Sequence, residues 1–185
     1  MKSSRSLAIA LLALLPVFAA AEDAKAPDSA TDLKLFDKAD NWKFGIGKPS
    51  GTGSFAVGKD GDTPIGTVTY DFSKGGDYVQ IASDTELPEG TTEFHLSARS
   101  PDFKHRVTVR FIDDTDQTLQ YKVPIKSGDW VTMKIPLSKK AEHWGGANDG
   151  KFHFPVKKII LIVPAPSGET KAGKMDFKDA SIAKK

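Results

Sequence analysis

Residues 93–99 (EFHLSAR) and 105–113 (HRVTVRFID) alternate between apolar and polar side chains. In the second segment Val107, Val109 and Phe111 occupy every other position, and mostly polar or charged residues lie between them. Successive side chains of a β-strand point to opposite faces of its sheet. This period of two therefore predicts strands with one face on a core and the other on solvent or a ligand.

Short segments of the same kind fill most of the chain, separated by Gly, Asp and Pro turns. Residues 158–163 (KIILIV) are apolar on both faces, which is typical of a central strand covered on both sides. Residues 173–182 alternate with one change of phase, which indicates a β-bulge. We expect about ten strands, at 33–36, 54–57, 66–72, 77–81, 93–99, 105–113, 118–122, 130–135, 158–163 and 173–182.

The fold class predicted by these strands is all-β, an antiparallel β-sandwich or jelly roll. No segment shows a convincing helical stripe of apolar residues. A closed barrel of the same strands is the structural alternative. We expect one such domain over residues 32–183, preceded at 22–31 by a polar, flexible leader.

The first 21 residues are typical of a secretory signal peptide. Lys2 and Arg5 precede an apolar segment at 7–18, and three alanines at 19–21 form a small-residue cleavage site. The apolar segment is too short to span a bilayer core of about 30 Å as a helix. We therefore expect an exported protein, periplasmic or secreted, with no membrane insertion.

Charge and cysteine content narrow the classes of partner. The chain has 26 basic and 24 acidic residues and a net charge of +2, and the excess equals the two cations of the predicted signal peptide. A balanced mature chain argues against nucleic acid or an anionic membrane surface as the partner. The absence of cysteine excludes disulfides and a lipid anchor at the cleavage site.

The segment at 143–155 (HWGGANDGKFHFP) lies in a long connection between two predicted strands, and such connections are often functional. Trp144 offers a flat apolar face with an N–H group, and Asn148 and Asp149 offer short hydrogen-bonding groups. This mixture suits a sugar, whose C–H face stacks on an aromatic ring while its hydroxyls bond polar groups. The alternative is a structural Ω-loop in which Trp144 closes the end of the sandwich and 148–150 form a tight turn.

Further candidates for bonding glycan hydroxyls lie on predicted strand faces or in turns. Arg110 and Gln120 belong to consecutive predicted strands, so they can share a face. Ordinary solvent-facing side chains of a sheet are the alternative. Trp42 and Trp130 lie in apolar settings and are predicted to be core residues. The added candidates are Arg99, Arg110, Gln117 and Gln120.

The chain resembles the β-sandwich domains of galactose-binding-like type found in exported bacterial carbohydrate-active proteins. The resemblance rests on the segment at 143–155, on RFIDDTDQTLQYK (110–122) and GDWVTMKIPL (128–137), and extends from FDKADNW (36–42) to MDFKDASI (175–182). It implies a jelly roll that presents a concave sheet or its rim loops to a glycan.

The resemblance also implies a structural calcium ion that joins the first and last strands. Phe36 and Asp37 stand before Trp42, and Asp179 lies in the final strand, as in that family. Carboxylate oxygens suit Ca²⁺. Asp37 stands where Glu is commoner in the family and is one carbon shorter. The alternative is that both are solvated carboxylates at strand ends.

Three functions are compatible with the sequence. The first is a non-catalytic module that binds a neutral glycan by stacking and hydrogen bonds. The second is an exported protein–protein interaction or assembly module on the same fold. The third, a small glycosidase or lyase, needs two carboxylates facing across a cleft. Its candidates by residue type are Asp113, Asp114, Asp116 and Asp149.

Overall fold

The computed structural model describes residues 30–47, 51–101 and 104–185. The predicted signal peptide (1–21) and most of the predicted leader (22–31) lie outside these residues. The described chain forms a 3-10 helix at Ala39–Asn41 and twelve β-strands. The strands are β1 (Thr31–Asp32), β2 (Lys43–Ile46), β3 (Thr52–Asp60), β4 (Thr63–Asp71), β5 (Tyr78–Ser83), β6 (Thr91–Arg99), β7 (His105–Ile112), β8 (Thr118–Ile125), β9 (Val131–Pro136), β10 (Glu142–Trp144), β11 (Lys158–Pro164) and β12 (Ala172–Lys184).

The strands form two six-stranded antiparallel sheets, which confirms the predicted β-sandwich. Sheet A has the order β3-β4-β12-β6-β9, and β1 pairs with β12 outside this path. Sheet B has the order β10-β8-β7-β11-β5-β2. Consecutive strands β6 and β7 belong to different sheets, so the chain crosses the sandwich between them.

The hydrophobic core lies between the two sheets and is built from the alternating positions that the sequence predicts. Val107, Val109 and Phe111 of β7 are fully buried. The Phe111 ring meets the ring of Phe94 from β6 edge-on, with centroids 5.3 Å apart. Edge-to-face packing is a favoured arrangement of aromatic rings, and burial of these side chains is the main stabilising contribution of the core.

The predicted first strand at 33–36 is wrong, although its apolar residues are buried as a strand's would be. Lys34 has a φ of 49°, which interrupts the extended backbone. Leu35 and Phe36 still enter the core, where the Phe36 ring stacks on Trp42 at 5.4 Å. The Trp42 indole N–H donates to the Leu35 carbonyl at 2.7 Å. Apolar alternation here reflects burial without a strand partner.

The predicted bulge in the last strand is confirmed. The pairing of β12 with β6 shifts register between Lys178 and Ser181, and Asp179 has a φ of 54°. Beyond the bulge, β12 pairs with β1 through Ile182 and Thr31. Strand pairing therefore begins at Thr31, one residue before the predicted domain start, and β12 ends at Lys184, one residue past the predicted domain end.

Strand β11 is central in sheet B and apolar on both faces, as predicted. Ile159, Leu161 and Val163 belong to the core. Ile160 and Ile162 alternate with them and point to the outer face of sheet B. Ile162 is nonetheless only 3% exposed. The side chains around it therefore cover it, and the outer face of sheet B has an apolar floor.

Gly66 on β4 leaves room for two aromatic rings of the core. A β-carbon at this position would lie 2.5 Å from the Phe36 ring and 2.8 Å from the Phe55 ring. We expect Gly66→Ala to destabilise the fold by about 1–3 kcal/mol, the usual cost of overpacking. Urea unfolding measures this change in the free energy of unfolding. Gly58→Ala is the matched control, because a β-carbon there meets nothing within 4 Å. Equal stability of the two variants would contradict this packing.

Candidate functional site

Trp144 lies on the three-residue strand β10 at the edge of sheet B. In the pairing with β8, Trp144 is opposite Thr118 and Glu142 is opposite Gln120. Residues paired directly across strands point to the same face, so both project from the outer face of sheet B. Trp144 is 43% exposed, which favours an indole open to a ligand over one that closes the end of the sandwich.

Gln120 is buried and both ends of its amide are bonded, so the expectation that it bonds a glycan is corrected. Arg110 and Gln120 do share one face, as predicted, and Trp144 lies on the same face. Arg110 is directly opposite Gln120, and Arg110 Nε donates to Gln120 Oε1 at 2.6 Å. The guanidinium carbon lies 5.2 Å from the centroid of the Trp144 ring, a cation–π distance. Among the described residues Arg110 makes no other hydrogen bond, so its two Nη groups remain available as donors beside the indole.

Glu142 holds Gln120, and through it Arg110, in place. The sequence did not single out this residue. Its carboxylate accepts from Gln120 Nε2 at 2.7 Å and from Lys122 Nζ at 2.8 Å. The hydrogen bonds from Lys122 and Gln120 hold the pKa of Glu142 below its ordinary value. The available signal was its position two residues before Trp144, which places both on one face of a strand.

Asp113 anchors the connection that follows Trp144. Its side chain is fully buried and accepts five hydrogen bonds. Two come from Thr115, two from Gln117 and one from the backbone N–H of His153. A buried carboxylate is tolerated when its oxygens are satisfied in this way. Asp113 therefore joins the β7–β8 turn to the far end of the segment at 144–155.

Gln117 is not at the surface, so the expectation that it bonds a glycan is corrected. It is fully buried, its Nε2 donates to the Lys151 carbonyl at 2.7 Å, and its Oε1 accepts from the Gly150 N–H at 2.9 Å. Nε2 also donates to Asp113 at 3.2 Å. With both ends of the amide used inside the protein, Gln117 positions the segment.

Asn148 and Asp149 remain exposed on that segment. The Asp149 carboxylate accepts from the Lys151 N–H at 2.9 Å and lies 3.2 Å from His153 Nε2. The Lys151 N–H is the main cause that holds the pKa of Asp149 below its ordinary value. Asn148 has a φ of 50°, typical of a tight turn. The Asp149 carboxylate therefore stabilises this turn.

Arg99 lies away from the other candidates, on the outer face of sheet A. Its Nη2 and Nε lie 2.9 and 3.2 Å from the buried carboxylate of Asp176. The prediction that Trp130 is a core residue is wrong as well. Its ring lies outside sheet A, with Arg99 and Lys178 each 4.5 Å from its centroid. Both cations cover the ring, so this tryptophan offers less open surface than Trp144.

Asp37 and Asp179 line one cavity of about 270 Å³, so the first and last segments of the domain do meet there. Ca²⁺ takes six to eight oxygen ligands. Two carboxylates would need backbone carbonyls and waters to complete that number, and Lys34 lines the same cavity. Within the described ranges no group of three or more His, Asp or Glu side chains is arranged to hold a metal ion. The calcium ion stays a prediction.

The β-sandwich is similar in fold to solved carbohydrate-binding modules. The fold matches the family 11 carbohydrate-binding module of the cellulosomal cellulase Lic26A-Cel5E of Clostridium thermocellum, with a TM-score of 0.62 and 15% identity over 86% of this chain and 97% of that one. The C. thermocellum family 11 module in complex with a β-1,3-1,4-mixed-linked tetrasaccharide gives a TM-score of 0.63 and 17% identity, covering 84% and 95%.

A domain of this fold also occurs within a larger enzyme. The agarase AgWH50C matches with a TM-score of 0.58 and 13% identity, over 84% of this chain and 24% of the agarase. No protein-family model and no curated protein sequence matches the chain. Between residues 30 and 185, where described, no helix is long and apolar enough to cross a membrane.

The anchor at Asp113 makes the segment sensitive to acid. Burial alone would raise the pKa of Asp113, but the hydrogen bonds from Thr115, Gln117 and His153 outweigh it and hold this pKa below its ordinary value. A carboxyl with a lowered pKa stabilises the folded state above about pH 4, and this contribution disappears as the pH falls through the folded-state pKa. We expect Asp113→Asn to cost about 1–3 kcal/mol at neutral pH.

Urea unfolding of Asp113→Asn and of wild type, from neutral pH to below about pH 4, tests this expected loss of stability. The variant should lose less stability on acidification than wild type, although Asp71, Asp84 and Asp149 keep some pH dependence through their own lowered pKa values. Asp116→Asn is the control, since the Asp116 side chain is 81% exposed. If both variants follow the wild-type pH profile, Asp113 is not the anchor.

Proposed function

We propose that this chain is an exported, non-catalytic carbohydrate-binding protein that takes a neutral glycan on the outer face of sheet B. The observation that carries the proposal is the exposed indole of Trp144 beside the free Nη groups of Arg110. An indole face suits the C–H face of a pyranose, and guanidinium N–H groups suit its hydroxyls. The fold shared with carbohydrate-binding modules supports the same conclusion.

A neutral ligand is supported by the pairing of charges on this face. Lys122 pairs with Glu142 at 2.8 Å. Lys43 and Lys158 both pair with Asp84, at 2.6 and 3.2 Å. These pairs place three lysines against two carboxylates, which weakens the field on this face that would attract an acidic polymer. Recognition then depends on stacking and on hydrogen bonds.

A non-catalytic role is supported by how two of the four candidate carboxylates are used. Asp113 is buried with five hydrogen bonds, and Asp149 accepts the Lys151 N–H and faces His153. Glycoside hydrolysis needs two carboxyl groups that flank the scissile bond in a cleft. Both of these carboxylates instead hold the loop together.

Trp144→Ala tests the proposal by affinity electrophoresis in polyacrylamide gels that contain mixed-linked β-1,3-1,4-glucan and by retention on agarose beads. We expect wild type to be retained by at least one of these neutral polysaccharides and the variant to bind it at least about tenfold more weakly. Trp130→Ala, at the tryptophan of the opposite sheet, is the matched control and should bind as wild type does.

Alginate in the same gels tests the preference for a neutral ligand and should retard the protein less. The proposal fails if neither neutral polysaccharide retains wild type, or if Trp144→Ala is retained as strongly. Thermal unfolding of each variant checks that lost retention reflects the site and not the fold.

The calcium site is a separate proposal, in which Asp37 and Asp179 hold one Ca²⁺ that joins the two ends of the domain. A ligand that binds only the folded state stabilises it by mass action. We expect excess Ca²⁺ to raise the melting temperature of the EDTA-treated protein, and Asp37→Asn to abolish this increase. Asp62→Asn is a control on the neighbouring β3–β4 turn. An unchanged melting temperature in Ca²⁺ and in EDTA would show that no such ion binds.

A further inference from the structure

A second aromatic ring, that of Tyr78, lies on the same face as Trp144. On β5 the fully buried Val79 and Ile81 belong to the core, so Tyr78 and Gln80 project from the outer face of sheet B. Tyr78 is partly exposed. It lies on the fifth strand of the sheet counted from β10. The outer face thus has an aromatic side chain near each end.

The Tyr78 ring lies flat on the neighbouring chain. A β-carbon on Gly47, just after β2, would lie 2.7, 2.7 and 2.9 Å from three consecutive ring atoms, which places it over the flat side of the ring. The Gly47 N–H donates to the Tyr78 carbonyl at 2.8 Å. Gly45 lies beneath Gln80 in the same way, with its β-carbon position 3.3 Å from Nε2. One side of the ring rests on backbone, and the other side faces away from the sheet.

The surface between the two rings combines apolar and hydrogen-bonding side chains. Ile160 is opposite Arg110, and Ile162 is opposite both Thr108 and Gln80. Ile160 is partly exposed and suits the C–H groups of a sugar ring, whereas Ile162 is covered and supports the side chains above it. The guanidinium and amide groups beside them suit the hydroxyls. The same chemistry as at Trp144 therefore continues across the sheet towards Tyr78.

The distance between the rings sets the size of the ligand. Four steps between strands separate β10 from β5, roughly 20 Å at the usual strand spacing. Across the sheet, Trp144 is in register with Lys158 and Tyr78 is in register with Pro164. These two residues of β11 are separated by roughly 20 Å along the strand at the usual rise per residue, and this adds to the distance between the rings. A disaccharide cannot contact both rings, whereas a chain of several sugars can.

Neither end of this surface is closed. Trp144 lies on the edge strand β10, and Pro164, level with Tyr78, lines an open cavity of about 620 Å³ together with Arg106 and Thr170. We propose that the outer face of sheet B binds an internal stretch of a linear glycan, laid diagonally from Trp144 to Tyr78, and that Tyr78 is its second stacking platform. This inference rests on the proposed function.

Calorimetric titration with oligosaccharides of increasing length tests the inference. The probes are fragments, from disaccharide to hexasaccharide, of mixed-linked β-1,3-1,4-glucan and of agarose. We expect the affinity of wild type to increase at least about tenfold from disaccharide to hexasaccharide. Tyr78→Ala should weaken hexasaccharide binding about tenfold and leave short fragments unchanged. Tyr78→Phe, which keeps the ring, should bind as wild type does.

Two further variants keep the test decisive. Ile46→Ala is the matched control, since Ile46 is 45% exposed on β2 but points to the opposite side from Gly45 and Gly47. If Tyr78→Ala lowers the melting temperature, Tyr78→Leu replaces it, because leucine keeps apolar bulk without an aromatic face.

The outcomes separate the two proposals. If wild type binds the polymer through Trp144 but the hexasaccharide binds no tighter than the disaccharide, or Tyr78→Ala binds it unchanged, this inference is overturned and the proposed function stands. If neither polysaccharide is bound, both fall.

Discussion

The buried carboxylate of Asp113 is the interaction on which the candidate site depends. A charge removed from water is costly unless hydrogen bonds replace its hydration. Here the donors come from Thr115 and Gln117 in one turn and from His153, which is 40 residues away in sequence. Because His153 lies near the far end of the segment at 144–155, the carboxylate fixes both the turn and that end of the segment. Trp144 itself is held by the pairing of β10 with β8, opposite Thr118, which directly follows the turn that this carboxylate fixes.

Period-two alternation was sufficient to predict the fold class, because it reports which face of each strand meets the core. It worked best on β7, where eight residues give several repeats of the pattern. It failed on β10, since three residues are too few to show a period. It also failed at 33–36, because burial of Leu35 and Phe36 produces the pattern without a pairing strand.

The site was only partly predictable from the sequence, because it depends on strand topology and on hydrogen bonds between residues distant in the chain. Arg99 and Arg110 occupy equivalent polar positions on consecutive strands, yet the chain changes sheet between β6 and β7 and carries them to opposite surfaces. Local sequence does not report such a crossing. Gln117 has the composition of a surface turn residue, but its partners Gly150 and Lys151 are more than thirty residues further along the chain. Whether an amide points inward depends on such distant donors and acceptors.

Strand β12 has a consequence for the order in which this chain can fold. It is the middle strand of the sheet A path and pairs with β4 on one side and β6 on the other. Until residues 172–184 have been synthesised, β4 has no partner on its inner edge, and sheet A exists only as two separate strand pairs, β3 with β4 and β6 with β9. Closing a sheet through contacts this distant in sequence is slow. Cooperative folding must then wait until almost the whole domain has been synthesised.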